Sequence, residues 1–271
     1  MVLTDNLMTY LVEVMLSHLA LTCALLLASV AAIRRFIRES YRVGGFGQKH
    51  VFITGCDSGF GNLLARQLDG KGLHVLAACL SEEGAADLAA ATSSRLKTLL
   101  LDVTDSESIR RGVQFVSREV GERGEAAGDQ TLKKKGHQNV FPLLSRRGMQ
   151  QFGIKVSIIE PGFFKTAVTS VELIDTDLRR LWTRLPQEVK DSYGETYLED
   201  YVKAQEFSMG ILCSPDISKV TRCMEHALTA QFPRTRYSTG WDAKLFWIPL
   251  SYLPSFVSDF VVNMLLPSPK G

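Results

Sequence analysis

Directly after the run Val51-Phe52-Ile53, the chain reads Thr54-Gly55-Cys56-Asp57-Ser58-Gly59-Phe60-Gly61 and continues into Asn62-Leu63-Leu64-Ala65-Arg66-Gln67-Leu68. A β-branched run that enters a glycine-rich turn and leaves it as an amphipathic helix limits the chain to a parallel α/β architecture. The three glycines have separate tasks. Gly55 lets the backbone leave the strand sharply, Gly59 permits close approach of an anion, and Gly61 lets the new helix lie against the sheet. Free N–H groups at the helix start then face a dinucleotide pyrophosphate.

The pattern continues in register. Residues 49–54 are predicted as the first strand and 62–71 as its helix, with Leu63, Leu64, Ala65 and Leu68 forming one apolar face and Gly72 ending it. A buried strand over 74–80, a helix over 83–91 and a third strand over 96–101 complete a βαβαβ mononucleotide-binding unit. Asp102 then stands at a strand's carboxyl end, where an adenine amino group would lie, while Asp105 is the better cap for the helix from Ser106 onward. A 2′-phosphate would need Arg or Lys near the loop or the end of the second strand. Neither Ser58 nor residues 79–84 supply one, whereas Glu82 and Glu83 lie near the distance expected for a ribose hydroxyl partner, which favours NAD over NADP.

Once an N-terminal apolar segment is set aside, the rest of the 271 residues suffices for one large α/β domain. A formal net charge of +2 gives no electrostatic reason to expect nucleic acid or an acidic partner. Cys23, Cys56, Cys79, Cys213 and Cys223 are scattered without Cys-x-x-Cys spacing, so neither a metal site nor a disulfide framework is expected, and a reducing compartment suits them. Residues 14–33, about twenty in all, match the thickness of a hydrocarbon core and are interrupted only by Ser17, His18, Thr22 and Ser29. Asp5 and Glu13 precede this run, and Arg34, Arg35, Arg38 and Arg42 lie after it. That order is the reverse of a cleaved signal peptide and places the chain beyond residue 34 on the cytosolic side.

The loop Phe52–Gly61, the run Leu101-Asp102-Val103-Thr104-Asp105 and the run Phe152-Gly153-Ile154-Lys155-Val156-Ser157-Ile158-Ile159-Glu160-Pro161-Gly162-Phe163-Phe164-Lys165-Thr166 resemble the short-chain dehydrogenase/reductase family. The resemblance is to its membrane-anchored retinol and 17-beta-hydroxysteroid dehydrogenase branch. Glu225-His226-Ala227-Leu228-Thr229, Pro233-Arg234-Thr235-Arg236-Tyr237 and Trp241-Asp242-Ala243-Lys244 resemble the branch's carboxyl-terminal region. The resemblance implies an α/β fold, a Rossmann-type doubly wound parallel sheet behind an N-terminal transmembrane helix. It implies hydride transfer between NAD(H) and a retinoid or steroid alcohol or carbonyl. The cofactor would be held by Gly55, Ser58, Gly59, Phe60, Gly61, Asp102 and Val103, with Pro161, Gly162 and Thr166 along the nicotinamide. It further implies an endoplasmic reticulum membrane, with a lumenal domain as the alternative to a cytosolic one. Self-association is left open.

The family also implies a Ser and a Tyr-x-x-x-Lys pair, in which the ammonium lowers the phenol's pKa so that it takes the hydroxyl proton. This chain departs from that pattern. The residues four beyond Tyr193, Tyr197, Tyr201 and Tyr237 are Tyr197, Tyr201, Gln205 and Trp241, and no Tyr-x-x-x-Lys occurs anywhere. After Gly124, where the family carries an Asn-Asn-Ala-Gly strand and then the catalytic strand and helix, residues 125–144 are polar and without period, including Lys133, Lys134, Lys135 and His137, which suit a solvated linker. An internal deletion of the fourth and fifth strands is therefore inferred, with no catalytic residue assigned; the chain is expected to be catalytically impaired, with a non-catalytic membrane-anchored dinucleotide-binding or partner-binding remnant as the alternative. The organisation expected is an anchor and basic flank over 1–48 and a dehydrogenase-like domain over 49–271. The first strand is then expected either to present an unpaired edge or to be joined by residues 155–160 sliding in to fill it.

Beyond Pro161-Gly162, residues 171–182 and 193–212 are predicted as helices able to cover an apolar substrate or pack a core. Residues 246–250 and 256–266, interrupted by Pro249 and Pro254, are too broken for a second span. A buried helix is expected for 256–266, with membrane-surface contact as the alternative.

Overall fold

The structure, a computed structural model, describes residues 2–121, 127–128, 147–151, 153–166, 169–265 and 267. The lysine run at 133–135 and His137 lie outside them. The chain forms two units, one of residues Met1–Gly44 with Thr229–Pro233, the other of Gly45–Leu228 with Arg234–Gly271.

The first unit is dominated by helix α1 (Val2–Ser40). Its stretch Glu13–Ser40 contains an 18-residue window with a mean hydropathy of 2.1 and is long and apolar enough to cross a membrane. Three of the four polar interruptions are satisfied within the helix. Ser17, Thr22 and Ser29 each donate a hydroxyl to a carbonyl three or four residues back, at 2.8 Å in every case, which is what a hydrocarbon environment demands of them. After α1, Arg42 bridges Ala230 in antiparallel fashion, Val43 donates to the Thr229 carbonyl at 2.8 Å, and the Arg38 guanidinium lies over the Phe232 ring.

The second unit opens with the predicted alternation. Strand β1 (His50–Thr54) leads into α2 (Gly59–Gly70), β2 (His74–Cys79), α3 (Glu82–Ala90), β3 (Leu96–Leu100) and α4 (Ser106–Val120). All strand pairings are parallel, in the order β3-β2-β1-β4. The register is strict, with Val51 beside Val75 and Val75 beside Leu96. Alternate residues of β1 and nearly all of β2 turn inward, and Val51, Ile53, Val75, Ala77 and Cys79 meet Leu64, Ala65 and Leu68 of α2 and Leu88 of α3 in one fully buried cluster. Helix α2 begins three residues earlier than its apolar period predicts, because the glycine loop itself makes its first turn.

On the far side of β1, the expected bare edge is partly covered. Strand β4 (Ala127–Gly128 among the described residues) pairs with Val51 and Phe52. Residues 155–160 do not slide in beside β1. Strand β5 (Ile158–Pro161) instead pairs in parallel with β6 (Arg236–Thr239), forming a separate two-stranded sheet. The sheet is α/β and Rossmann-like, as expected, but divided rather than merely shortened.

Helices α5 (Val171–Thr183), α6 (Gln187–Tyr193) and α7 (Tyr197–Leu212) come after β5, and of their residues only Val202 is buried. Helix α8 (Ser218–Thr229) precedes β6 and sends Met224 and Leu228 against the main core. A π-helical turn, Ala243–Trp247, then leads into α9 (Ile248–Ser251) and α10 (Ser255–Leu265). The apolar period of α10 favours burial. The helix is instead unburied throughout, with Phe256, Phe260 and Met264 exposed.

Candidate functional site

The glycine loop leaves β1 with Gly55 at φ 71° and Gly59 at φ 65°, left-handed conformations that a side chain resists. A Cβ on Gly61 would lie 2.3 Å from the Gly55 carbonyl oxygen, so α2 rises directly against the turn. Cys56 donates its N–H to the Ala78 carbonyl (3.0 Å), and the Asn62 side-chain amide donates to the Cys56 carbonyl (2.9 Å), fixing the turn to β2 and to its own helix. The helix start is left open. Ser58 precedes it in an extended conformation and makes no side-chain cap, whereas Ser81 caps α3 and Asp105 caps α4 through the N–H groups of Glu107 and Ser108. Uncapped N–H groups and a positive helix end facing a glycine cradle fit a pyrophosphate.

Asp57, in the middle of the loop, ties it to the end of β2. Its carboxylate accepts from the N–H groups of Leu80 (2.8 Å) and Ser81 (2.9 Å) and from the Ser81 hydroxyl (2.8 Å). Burial opposes ionisation here, but these hydrogen bonds outweigh it and hold the carboxyl below its ordinary value. The sequence pattern points to Glu82 and Glu83 in this neighbourhood and gives no sign of Asp57. Both glutamates occupy the first turn of α3 and are exposed.

Asp102 lies just after β3 and closes a local turn, accepting from the Thr104 N–H (2.8 Å) and hydroxyl (2.7 Å), which hold its carboxyl low, the hydroxyl most strongly. Its own N–H donates to Ser108 (3.0 Å), and Val103 is exposed beside it.

At the end of β5, Gly162 donates to the Thr239 carbonyl (2.7 Å), and Asp242 accepts from the Phe163 N–H (2.8 Å). A Cβ on Gly162 would stand 2.0 Å from the Asp242 carboxylate, so only glycine lets this buried acid close over the Pro161-Gly162 turn. Sequence pattern alone assigns Asp242 no role. Its one hint is a glycine at both 162 and 240, where backbones must approach it. Phe164 packs edge-on to Phe60 with ring centroids 6.0 Å apart, and the Thr166 methyl lies 4.0 Å from where a Gly59 Cβ would be. The structure thus brings Gly59, Phe60 and Thr166 together. For Asp102 and Val103 it shows only the local turn.

Tyr193, Tyr197 and Tyr201 line up with Trp182 in an aromatic row. Burial, then Tyr193 and Tyr201, push the Tyr197 phenol up, away from what a general base needs. The Tyr237 hydroxyl lies 2.7 Å from the His226 ring and accepts from the Arg234 N–H at 2.9 Å.

A parallel sheet with an uncapped glycine turn at its first crossover defines a nucleotide-binding α/β protein. The family profile described as short chain dehydrogenase matches residues 49–123. Retinol dehydrogenase 7 of Rattus norvegicus is 43% identical, over 84% of this chain and 92% of its own. Retinol dehydrogenase 5 of Homo sapiens is 41% identical over 81% and 89%, and 17-beta-hydroxysteroid dehydrogenase type 6 of Rattus norvegicus 39% over 83% and 91%. A solved short-chain dehydrogenase from Streptomyces avermitilis, at 20% identity and TM-score 0.52, covers 79% of this chain and 96% of its own and shares the fold. The chain belongs to the short-chain dehydrogenase/reductase family, in its retinol and hydroxysteroid dehydrogenase branch, a family of nicotinamide-dinucleotide oxidoreductases. The alignment to the rat retinol dehydrogenase runs over 292 positions yet takes in only 84% of these 271 residues, so this chain's side of it contains a long gap.

Proposed function

We propose that this chain is a membrane-anchored, NAD-binding member of the branch whose hydride transfer is impaired. The observation that carries this reading is the absence of any lysine four residues after a tyrosine in a chain that keeps the whole glycine cradle. A dinucleotide there would lay its pyrophosphate on the N–H groups of Ser58, Gly59, Phe60 and Gly61, its adenosine beside Asp102 and Val103, and its nicotinamide near Pro161, Gly162 and Thr166. Once bound, the nicotinamide supplies hydride donation or acceptance. This chain contributes binding and orientation, but no phenol poised to move the alcohol's proton, and loss of such a base forfeits about 10²-fold to 10⁴-fold in rate.

Three further features support parts of this reading. The ionised Asp57 and the lack of Arg or Lys at residues 79–84 disfavour a 2′-phosphate, hence NAD. Helix α1, with Arg34, Arg35, Arg38 and Arg42 after its apolar run, supports an endoplasmic reticulum anchor with a cytosolic domain. The names of the relatives point to retinoids or steroids as lipophilic ligands, and the bundle of α5 to α7 exposes Leu173, Leu181, Phe207 and Ile211, suited to such a ligand. Residues 125–144, apart from the two of β4, are read from their polar, aperiodic sequence as a linker in place of the catalytic segment.

The test is NAD titration and turnover of all-trans-retinol or an androstane alcohol in membranes carrying the chain. Saturable NAD binding without turnover above vector membranes is expected. Turnover at a normal rate would overturn the reading.

A further inference from the structure

Helix α8 and strand β6 face each other across a cleft of about 330 Å³. Lys219, Arg222, Cys223 and His226 recur at intervals of three and four, so they share one face of α8. Tyr237 and Thr239, two apart on β6, point to the same side of their sheet. Arg234 precedes the strand, and Gly240 and Lys244 lie beyond it, closing the cleft's ends.

Every ionic residue that lines this cleft is cationic or histidine, and no carboxylate lines it. The convergence of charge is felt at Cys223. Burial pushes its thiol up, while Arg234, Lys244 and Arg222 all act to lower it. Arg222 is shared with Asp216 at 3.6 Å on the outer side, and Arg234 lies over the Tyr237 ring, 5.6 Å from its centroid. Lys219 and Lys244 are exposed at the mouth. In the lining, the Thr239 hydroxyl is 6% exposed as a residue and lacks a hydrogen-bond partner. An unsatisfied buried hydroxyl is costly to leave, and one in the lining of a cationic cleft is supplied with what it lacks by an oxyanion.

We propose that this cleft binds a phosphate group, with Lys219, Arg222, Arg234 and Lys244 neutralising its charge and the Thr239 hydroxyl donating to one of its oxygens. Phosphate is favoured over carboxylate because its two charges and three acceptor oxygens can meet the exposed Lys219 and Lys244 and the unpartnered Thr239 hydroxyl together. The site shares no residue with the glycine cradle. The phosphate has two sources, a free phosphate monoester or the headgroup of an anionic lipid.

The experiment titrates inorganic phosphate into the full chain, reconstituted in phosphatidylcholine nanodiscs at low salt, by calorimetry. One site is expected, weakened about tenfold or more in the Lys219→Ala/Lys244→Ala double variant, in line with the loss of charge-assisted contacts. Both lysines are exposed, so this variant should keep the parent's melting temperature. Thr239→Val should weaken binding severalfold, and Lys203→Ala should leave it unchanged. Repeating the titration with phosphatidic acid in the bilayer distinguishes the sources. A lowered apparent affinity assigns the cleft to a lipid headgroup, and an unaltered one assigns it to a soluble phosphate. No phosphate binding in phosphatidylcholine discs, or equal affinity in the parent and the double variant, overturns the proposal.

Discussion

The β1–β3 half and the β5–β6 half of the second unit are built from similar parts with opposite results. In the first, three strands hydrogen-bond in series and two crossover helices close over them, leaving Leu64, Leu68, Val75 and Leu88 with 1% exposure or less. In the second, two strands pair only with each other, and helices α5 and α6 bury no residue at all. Composition does not explain the contrast, because α5 is amphipathic with Leu173, Ile174, Leu178, Leu181 and Trp182, and α7 carries Leu198, Phe207, Ile211 and Leu212. What differs is the surface available. A crossover helix buries its apolar face only if a sheet lies beneath it, and among the described residues the sheet beyond β1 is the two residues of β4.

The comparison is broken most directly by truncating equivalent apolar side chains in the two halves. Leu68→Ala, at a fully buried position, should lower unfolding free energy by about 2–5 kcal/mol. Leu173→Ala in α5, where the leucine is 56% exposed, should change it by less than about 0.5 kcal/mol. Denaturant unfolding of the detergent-solubilised chain measures both. Equal losses would mean that the helices after β5 pack as tightly as those between β1 and β3.

A smaller effect sharpens the contrast between cradle and core. Gly61→Ala places a methyl 2.3 Å from the Gly55 carbonyl oxygen, so α2 must back away from the turn, at about 1–3 kcal/mol. NADH fluorescence should show dinucleotide binding lost beyond what that destabilisation explains, whereas Leu68→Ala should leave the affinity of the folded fraction intact.

Legibility in the sequence divides along the same line. The elements from β1 to β3 are readable to within a few residues because period, glycine placement and caps all agree there, as when Asp105 rather than Asp102 takes the cap of α4. The pairing of β5 is not readable, since Ile158 and Ile159 suit any parallel neighbour and nothing local distinguishes β1 from β6. The exposure of α10 escapes a sequence reading for a related reason. Phe256, Phe260 and Met264 form an apolar face whether or not something covers it, and hydropathy records the face but not the cover. Asp57 and Asp242 are hidden because a carboxylate's role depends on which distant N–H groups reach it, those of Leu80 and Ser81 in one case and Phe163 in the other.

The smallest expected effect comes from Asp57, which belongs to the well-packed half and ties the glycine loop to the end of β2. Its carboxyl titrates below its ordinary value of 3.8 when folded, because the hydrogen bonds from Leu80 and Ser81 overcome burial. A depressed folded pKa contributes stability that is fully present above the unfolded value and is lost as pH falls through the folded one. Asp57→Asn should therefore cost stability at neutral pH, by under about 1 kcal/mol given the site's partial exposure to solvent. The difference from the parent should shrink only below pH 3.8. Thermal unfolding of both proteins across that range measures it, and a constant offset down to the lowest pH would mean that the carboxylate's charge is not what holds the loop to β2. Because the same substitution removes a negative charge from the end of β2, it should also narrow the preference for NAD over NADP in competitive binding. If stability responds and selectivity does not, Asp57 positions the loop without reading the ribose.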